Sequence, residues 1–215
     1  MAASILPHYQ LTRSDIITEV KTPVAVLVGP KGRGSNMAAL VERSRLPESP
    51  VDVGLVIAPS PNSPALEVAR GLGVATAVVP YGEDFGARLV AQLDGFHFLC
   101  LAGFMRMVPA EVLVAFPDRV LNIHPSLLPK FGGKGMYGEH VHTAVLAAGE
   151  HESGCTVHLV NEAYDEGKHL LQLSCRVETG DTPETLAKRV LGFEHQAYSQ
   201  ALWELAAKVG RREGQ

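Results

Sequence analysis

The architecture of this chain is most evident in the stretch Val24-Ala25-Val26-Leu27-Val28-Gly29-Pro30-Lys31-Gly32-Arg33-Gly34-Ser35-Asn36. It opens with a continuous apolar run, which is typical of a strand buried on both faces of a parallel sheet. A glycine-rich loop follows, and residues 36–43 have the periodicity of a helix. A buried strand, a glycine loop and a helix in this order predict the first unit of an open α/β sheet.

Strands and helices continue to alternate along the chain. The pattern predicts strands at residues 53–58, 75–79, 96–102 and 120–123, with helices between them. Because the connections are short, we expect a doubly wound, mostly parallel open sheet. The later pattern predicts a helix, two strands for which an antiparallel pairing is open, and a long C-terminal helix. These elements are expected at residues 138–148, 156–160 and 170–177, and from Thr182 onward.

The domain organisation and composition narrow the class of protein. We interpret residues 1–22 as an N-terminal extension and residues 23–210 as a single domain, because no repeat or linker divides the chain. Hydrophobic residues make up 46% of the chain and charged residues 20%, so a sizeable core is expected. The net charge of -4 argues against broad nucleic-acid binding. With no long apolar run and no secretory pattern, we expect a cytoplasmic protein without a membrane partner.

The cysteines and histidines do not follow the spacing of a metal site. The thiols lie in apolar stretches without CxxC spacing, which favours reduced, structural cysteines. They are Cys100, Cys155 and Cys175. His140 and His142 are two residues apart, but such residues do not share a helix face. We expect no metal, and we expect His158 and His169 on partly exposed faces.

The glycine loop has the features of a phosphate-binding loop. Glycines let the backbone approach an anion, and a helix N-terminus supplies free N–H groups and a positive dipole. The Walker A pattern is absent, and the dinucleotide pattern GxGxxG would need glycine in place of Met37. We therefore expect a single phosphate; the alternative is a tight turn before a capped helix, with no ligand. The candidate phosphate-binding residues are Gly32, Arg33, Gly34, Ser35 and Asn36.

A second polar feature lies in Asn122-Ile123-His124-Pro125-Ser126-Leu127-Leu128-Pro129, where a strand is expected to end. Asn122 and His124 are two residues apart, so on a strand their side chains point to the same face. Open α/β sheets bind ligands at such strand ends. An amide donor beside an imidazole suits a reaction in which negative charge develops on an oxygen and a proton moves.

Asp165 is a candidate partner for His124. It lies in Tyr164-Asp165-Glu166-Gly167, between the two late strands, from where it is expected to reach across the fold. A carboxylate beside an imidazole would orient the ring and favour its charged form. The alternatives are a turn aspartate that bonds its own backbone, and a histidine with a structural role only.

Taken together, these motifs resemble the phosphoribosylglycinamide formyltransferase family, the folate-dependent transformylases of purine biosynthesis. The run Asn-Ile-His-Pro-Ser-Leu-Leu-Pro is shared by the wider formyltransferase group, whereas the Gly-x-Gly-Ser-Asn loop points to the glycinamide branch. The matching segments, in the order of the family, are 32–36, 101–106, 122–129, 154–160, 164–167 and 194–195.

The resemblance implies an activity and a set of site residues. It implies a Rossmann-like formyltransferase fold, monomeric or homodimeric, that moves a formyl group from 10-formyltetrahydrofolate to the amine of glycinamide ribonucleotide. Asn122, His124 and Asp165 would be the catalytic residues. The ribonucleotide would bind through its phosphate at residues 32–36 and through Glu194. Folate would bind at Met105, Arg106, Met107, Val108, Asn122 and Asp165.

The chain also departs from the family pattern. Lys31 stands where the family often has serine, and Lys168 replaces a frequent proline, which we expect to make the folate loop more mobile. Arg88 is a candidate for a further phosphate contact. Alternative functions are formyl transfer to methionyl-tRNA or to a sugar amine, hydrolysis of formyltetrahydrofolate, and non-catalytic binding of a phosphorylated metabolite or folate.

Overall fold

The computed structural model describes residues 20–213, with side chains to residue 209. The proposed extension, residues 1–22, lies almost wholly outside the described residues. The strands are β1 (Thr22–Val28), β2 (Val51–Ala58), β3 (Ala75–Val78), β4 (Phe98–Ala102), β5 (Val120–His124), β6 (Glu152–Leu159) and β7 (His169–Arg176). The helices are α1 (Ser35–Ser44), α2 (Pro64–Gly71), α3 (Phe85–Gln92), α4 (Ala110–Ala115), α5 (Glu139–Ala147) and α6 (Pro183–Glu213).

The strands form one sheet in the order β3-β2-β1-β4-β5-β6-β7. Pairing is parallel from β3 through to β5, whereas β6 and β7 are antiparallel to their neighbours. The expected mostly parallel sheet with late antiparallel strands and a long C-terminal helix is therefore confirmed. The strand order reverses between β1 and β4, and open α/β sheets bind ligands beside such a reversal.

Different helices cover the two faces of the sheet. One core lies under α1, α2, α5 and α6 and includes Val26 and Leu121. The other lies under α3 and α4 and includes Leu27 and Val120. Because side chains alternate along β5, Asn122 and His124 point to the same face as Val120. Polar side chains thus replace the apolar core where this strand ends.

Two element boundaries differ from the prediction in a way that affects the site. β6 begins at Glu152 rather than Thr156, because residues 152–155 also pair with β7 despite the weak strand propensity of Ser153 and Gly154. β5 continues through His124, so Asn122 and His124 both belong to regular strand. No helix in the described range is long and apolar enough to cross a membrane.

The C-terminal helix is fixed at its start by a capping box. The Thr185 N–H donates to Thr182 Oγ1 at 3.2 Å, and the Thr182 N–H donates to Thr185 Oγ1 at 2.9 Å. This confirms Thr182 as the capping residue. The guanidinium of Arg189 adds a two-pronged salt bridge to Asp181, with N–O distances of 2.5 and 2.8 Å.

Further along α6, Tyr198 links the helix to two central strands. Its ring is buried, and its hydroxyl lies 2.8 Å from the Leu101 carbonyl and 3.0 Å from the Leu121 carbonyl. The phenol proton is therefore shared between β4 and β5, directly before Asn122. This contact positions the strand ends from the side opposite the polar groups.

We expect Tyr198→Phe to lower the free energy of unfolding by about 1–3 kcal/mol, because buried carbonyls lose their donor. Urea unfolding followed by circular dichroism measures the change. Tyr164→Phe, at an exposed side chain, is the control and should unfold like the wild type. Equal unfolding midpoints for wild type and Tyr198→Phe would show that the shared hydrogen bond adds no stability.

Candidate active site

The predicted site residues lie at the carboxyl ends of adjacent strands. The glycine loop follows β1, residues 103–109 follow β4, and Asn122 and His124 end β5. The first two segments touch, because a side chain at Gly29 would collide with the Gly103 carbonyl. All three therefore meet beside the reversal of strand order between β1 and β4.

His124 is buried, with both ring nitrogens facing acceptors. Its Nε2 lies 2.8 Å from the Phe131 carbonyl, to which it donates, and its Nδ1 lies 3.5 Å from Asp165 Oδ2. Phe131 has a φ of 55°, in the left-handed region that bulky residues rarely adopt. Such strain is common where a backbone group has to be aimed at a functional side chain.

Opposing effects set the pKa of His124. Burial lowers the pKa of His124 and outweighs Asp165 and the Phe131 carbonyl, which both raise it. His158 lowers it further. Asp165 therefore favours the charged form of His124, as expected, but burial opposes it.

Asp165 joins three segments of the chain. Burial alone would raise the pKa of Asp165, but contacts with His158, His124 and the Gly133 N–H together hold the pKa below its usual value. The Gly133 N–H donates to Oδ2 at 2.9 Å. The structure therefore brings Asn122, His124 and Asp165 together, as the sequence predicted, while their catalytic roles stay predictions.

The expectation that His158 is partly exposed is wrong; that for His169 is confirmed, since its side chain is exposed. His158 is buried and lies beside Asn122, whose Nδ2 is 3.1 Å from His158 Nε2. The cause is the antiparallel pairing of β6 with β5, which sets His158 directly opposite Asn122. The same Nε2 is 3.6 Å from Asp165 Oδ1. His158 is the residue of this cluster that sequence reasoning missed.

His142 is a further buried histidine near His124. It lies on α5, and its Nδ1 has no hydrogen-bond partner among the described residues. Burial lowers the pKa of His142, and the charge of His124 lowers it further. His140, two residues earlier, is exposed, so the two rings do not share a face.

The glycine loop offers backbone donors in front of α1. The first internal bond of this helix runs from the Ala38 N–H to the Gly34 carbonyl. Within the described chain, the amides of residues 33–37 therefore have no backbone partner. Lys31 and Arg33 are exposed beside them. Free amides and nearby cations are what a phosphate requires.

Asn36 and Glu194 connect this loop to α6. Asn36 Nδ2 donates to Glu194 Oε2 at 2.6 Å, while Asn36 Oδ1 has no partner in the described structure. Burial raises the pKa of Glu194, and the bond from Asn36 opposes this shift. A residue predicted to bind phosphate and one predicted to bind the ribonucleotide are thus in direct contact.

The segment expected to bind folate is an exposed loop. Met105, Arg106 and Met107 are exposed, and Val108 is buried beneath them. The Arg106 guanidinium stacks 3.8 Å from the centre of the Tyr81 ring. In the described part of the chain, the amides of residues 105–108 have no backbone carbonyl as partner. Backbone groups are thus accessible here for a ligand.

The contacts of the Arg88 side chain do not direct it toward the glycine loop. Its guanidinium donates to the Pro80 carbonyl at 2.7 Å and pairs with Asp84 at 3.1 Å, within its own helix and the turn before it. Its predicted phosphate contact stays a prediction. Across residues 20–213, no group of three or more His, Cys, Asp or Glu residues is arranged to hold a metal ion.

Comparison with known proteins identifies the family. The family model for formyl transferase matches residues 23–202. The phosphoribosylglycinamide formyltransferase of Escherichia coli (strain K12) is 32% identical, with 81% of this chain and 82% of that protein aligned. The crystal structure of a phosphoribosylglycinamide formyltransferase from Brucella melitensis is 38% identical with a TM-score of 0.79, covering 87% and 97% of the chains. The chain belongs to the formyl transferase family, in its phosphoribosylglycinamide formyltransferase branch.

Other relatives differ in length or are more distant. The chloroplastic phosphoribosylglycinamide formyltransferase of Arabidopsis thaliana is 42% identical over 80% of this chain, which spans 61% of that protein. The chain spans 66% of the corresponding Vigna unguiculata protein. A formyltetrahydrofolate deformylase from Pseudomonas syringae, 21% identical with a TM-score of 0.77 over 88% of this chain and 62% of that one, shares the fold.

Lys168 leaves the backbone contacts of the Asp165 loop intact in this formyl transferase. The Leu159 N–H donates to the Lys168 carbonyl at 2.9 Å, a bond that proline at 168 would also accept. Gly167 is needed for this approach, because a side chain there would collide with the Leu159 carbonyl. The loop is therefore anchored just beyond Asp165, while greater mobility at Lys168 stays a prediction.

We expect the stability of this formyl transferase to fall as the pH drops below about 6.5, the usual pKa of histidine. The pKa values of His124, His142 and His195 are all lowered in the folded chain, chiefly by burial. The unfolded chain therefore takes up protons first, and the folded state loses stability until the pH passes the folded pKa values.

His142→Asn should flatten this dependence, because one buried imidazole no longer resists protonation. Thermal unfolding from about pH 8 to about pH 5.5 measures the slope. His140→Asn, an exposed residue of the same helix, is the matched control. An identical slope for wild type and His142→Asn would rule out His142 as a source of acid sensitivity.

Proposed function

We propose that this chain transfers the formyl group of 10-formyltetrahydrofolate to the amine of glycinamide ribonucleotide, a step of de novo purine biosynthesis. The observation that carries the proposal is the cluster of Asn122, Asp165 and the buried His124 at the end of β5. It lies beside a loop with free amides, in a chain of the phosphoribosylglycinamide formyltransferase branch.

The glycine loop supplies the site for the acceptor's phosphate. The amides of residues 33–37 and the positive end of α1 would hold the phosphate, with Lys31 and Arg33 at its edge. Glu194, held by Asn36, would bind the ribonucleotide beyond its phosphate. The need for a phosphorylated acceptor distinguishes this function from simple hydrolysis of the formyl donor.

The folate lies in this proposal between residues 105–108 and the Asp165 loop. The unpartnered amides of residues 105–108 would bond the polar edge of the pterin, while Arg106 stays on Tyr81. The formyl group would then face Asn122 and His124. Location in the cytoplasm and a monomeric or homodimeric state complete the proposal.

Asn122 and His124 would stabilise the reacting oxygen. The ribonucleotide amine attacks the formyl carbon, the carbonyl π pair moves to oxygen, and a tetrahedral intermediate forms. In the structure, His124 Nε2–H donates to the Phe131 carbonyl at 2.8 Å. This hydrogen bond must break before His124 can donate to the reacting oxygen. The oxyanion would therefore take the place of the Phe131 carbonyl as acceptor.

The amine proton would pass through the same cluster. Burial keeps the resting pKa of His124 low, but a developing oxyanion nearby favours the imidazolium. His124 would take up a proton as the oxyanion forms, with Asp165 balancing its charge. Collapse of the intermediate re-forms the carbonyl and breaks the bond from the formyl carbon to the folate nitrogen, which receives the proton that the attacking amine gave up.

The direct test is formyl transfer with glycinamide ribonucleotide present and absent. We expect folate turnover only with the ribonucleotide, and loss of turnover with an acceptor that lacks the phosphate. Equal folate turnover without the ribonucleotide would favour hydrolysis instead. No turnover with the ribonucleotide would contradict the proposed acceptor.

Asn122→Ala should lower kcat by about 10²–10³, the usual effect of removing one oxyanion donor. The variant should fold normally, because Asn122 is only partly buried. Steady-state kinetics with both substrates measure the change. An unchanged kcat would exclude Asn122 as an oxyanion donor.

Asp165→Asn should lower kcat by about 10² or more, because the charge that balances protonated His124 is lost. Asparagine tolerates the left-handed backbone found here, where φ is 58°, and keeps an acceptor for the Gly133 N–H. Wild-type turnover across the pH range would remove Asp165 from the mechanism.

A further inference from the structure

We infer that His158 is a positioning residue that fixes the side-chain amide of Asn122, with its NH₂ group held in place as a donor. The inference rests on the proposed formyl transfer and adds a residue to it. It follows from which partner each nitrogen of the His158 ring faces.

The contact of Nδ1 determines which ring nitrogen of His158 carries the proton. His158 Nδ1 lies 2.9 Å from the carbonyl oxygen of Leu159. A carbonyl only accepts, so Nδ1 must carry the proton. The register of β6 against β7 shifts between Val157 and His158, and such a bulge re-aims a side chain beside a functional site.

The second ring nitrogen then acts as the acceptor. With the proton on Nδ1, the neutral ring has a lone pair on Nε2, which lies 3.1 Å from Asn122 Nδ2. Asn122 therefore donates one amide hydrogen to His158. Its second amide hydrogen stays available for the formyl oxygen, and its Oδ1 is turned away from His158.

Asp165 competes with Asn122 as the partner of His158 Nε2. Its Oδ1 lies 3.6 Å from the same Nε2, beyond hydrogen-bond distance, although a proton on Nε2 would help to keep the pKa of Asp165 low. A proton on Nε2 would point to Asp165 or to Asn122, and Asn122 would then have to present Oδ1 to His158. That reversal would move its NH₂ group and remove the donor. The position of one proton on His158 thus selects which end of Asn122 meets the substrate.

The groups around His158 come from three elements. Asn122 belongs to β5, Asp165 to the loop after β6, and Leu159 to β6 itself. His124, on the same face of β5, is close enough for the two rings to interact electrostatically. Since Asn122 is the closest side-chain partner, an effect of His158 on turnover should pass through Asn122.

Three variants separate this role from a structural one. His158→Leu removes the acceptor at similar size, and we expect kcat to fall about 10²-fold with little change in KM for the ribonucleotide. His158→Gln can place its amide oxygen near the position of Nε2, and should recover most of that loss. His169→Leu, at the exposed register partner of His158 on β7, is the matched control.

The double variant Asn122→Ala, His158→Leu decides whether the effect passes through Asn122. We expect its kcat to equal that of Asn122→Ala alone, because no amide remains to be positioned. Multiplicative losses in the double variant would overturn the inference. The inference would also be overturned if His158→Leu lowered kcat in an Asn122→Ala background but not in an Asp165→Asn background.

Nitrogen-15 NMR of histidine-labelled wild-type protein tests the proton directly and needs no variant to fold. We expect His158, assigned by its loss in His158→Gln, to carry its proton on Nδ1 and to have an unprotonated Nε2 at neutral pH. A neutral ring protonated on Nε2, or a doubly protonated ring, would overturn the inference. Absence of formyl transfer by the wild type would instead contradict the proposed function, and the NMR result would still stand or fall by itself.

Discussion

The candidate site depends on a single, largely buried carboxylate. Asp165 accepts the Gly133 N–H, faces His124 at 3.5 Å and faces His158 at 3.6 Å. Segments that are distant in the sequence therefore meet at Asp165. The neighbouring groups stabilise the charge of Asp165, and this charge in turn orients them. Burial disfavours that charge, and the Gly133 N–H and the neighbouring imidazoles offset the cost, so the pKa of Asp165 stays below its usual value.

The fold places polar groups around Asp165 in two ways. The parallel half of the sheet ends its strands together, so the glycine loop, residues 103–109 and the end of β5 share one edge. The antiparallel β6 then adds a second polar row, because His158 pairs with Asn122 and Thr156 with His124. Helix α6 contacts both regions. Tyr198 donates to the backbone carbonyls of β4 and β5, and Glu194 accepts a hydrogen bond from Asn36 next to the glycine loop.

Much of this arrangement could be predicted from local sequence, and the remainder depended on non-local pairing. The buried run before the glycine loop predicts a parallel strand, and the spacing of Asn122 and His124 predicts a shared face. The polar positions of Thr156-Val157-His158 suggest a solvent-facing row when read alone. Only the register between β5 and β6 turns that row inward, so the burial of His158 could not be read from its own segment. The pKa of His124 likewise depends on burial, on the Phe131 carbonyl and on His158 as well as on Asp165.

The balance of charge in the cluster limits the mechanism. Three imidazoles are buried here: those of His124 and His158 face Asp165, and that of His142 interacts electrostatically with His124. A single negative charge can offset one imidazolium, and a second would be both buried and unpaired, at a cost of several kcal/mol. The charge of Asp165 can therefore offset one imidazolium, and burial disfavours placing that positive charge on His124 before the reaction begins. A reaction that creates an oxyanion beside His124 supplies the missing negative charge for as long as the intermediate lasts. In the proposed mechanism, the environment that disfavours the resting cation thus couples proton uptake by His124 to formation of the oxyanion, and collapse of the intermediate passes the amine's proton to the leaving folate nitrogen.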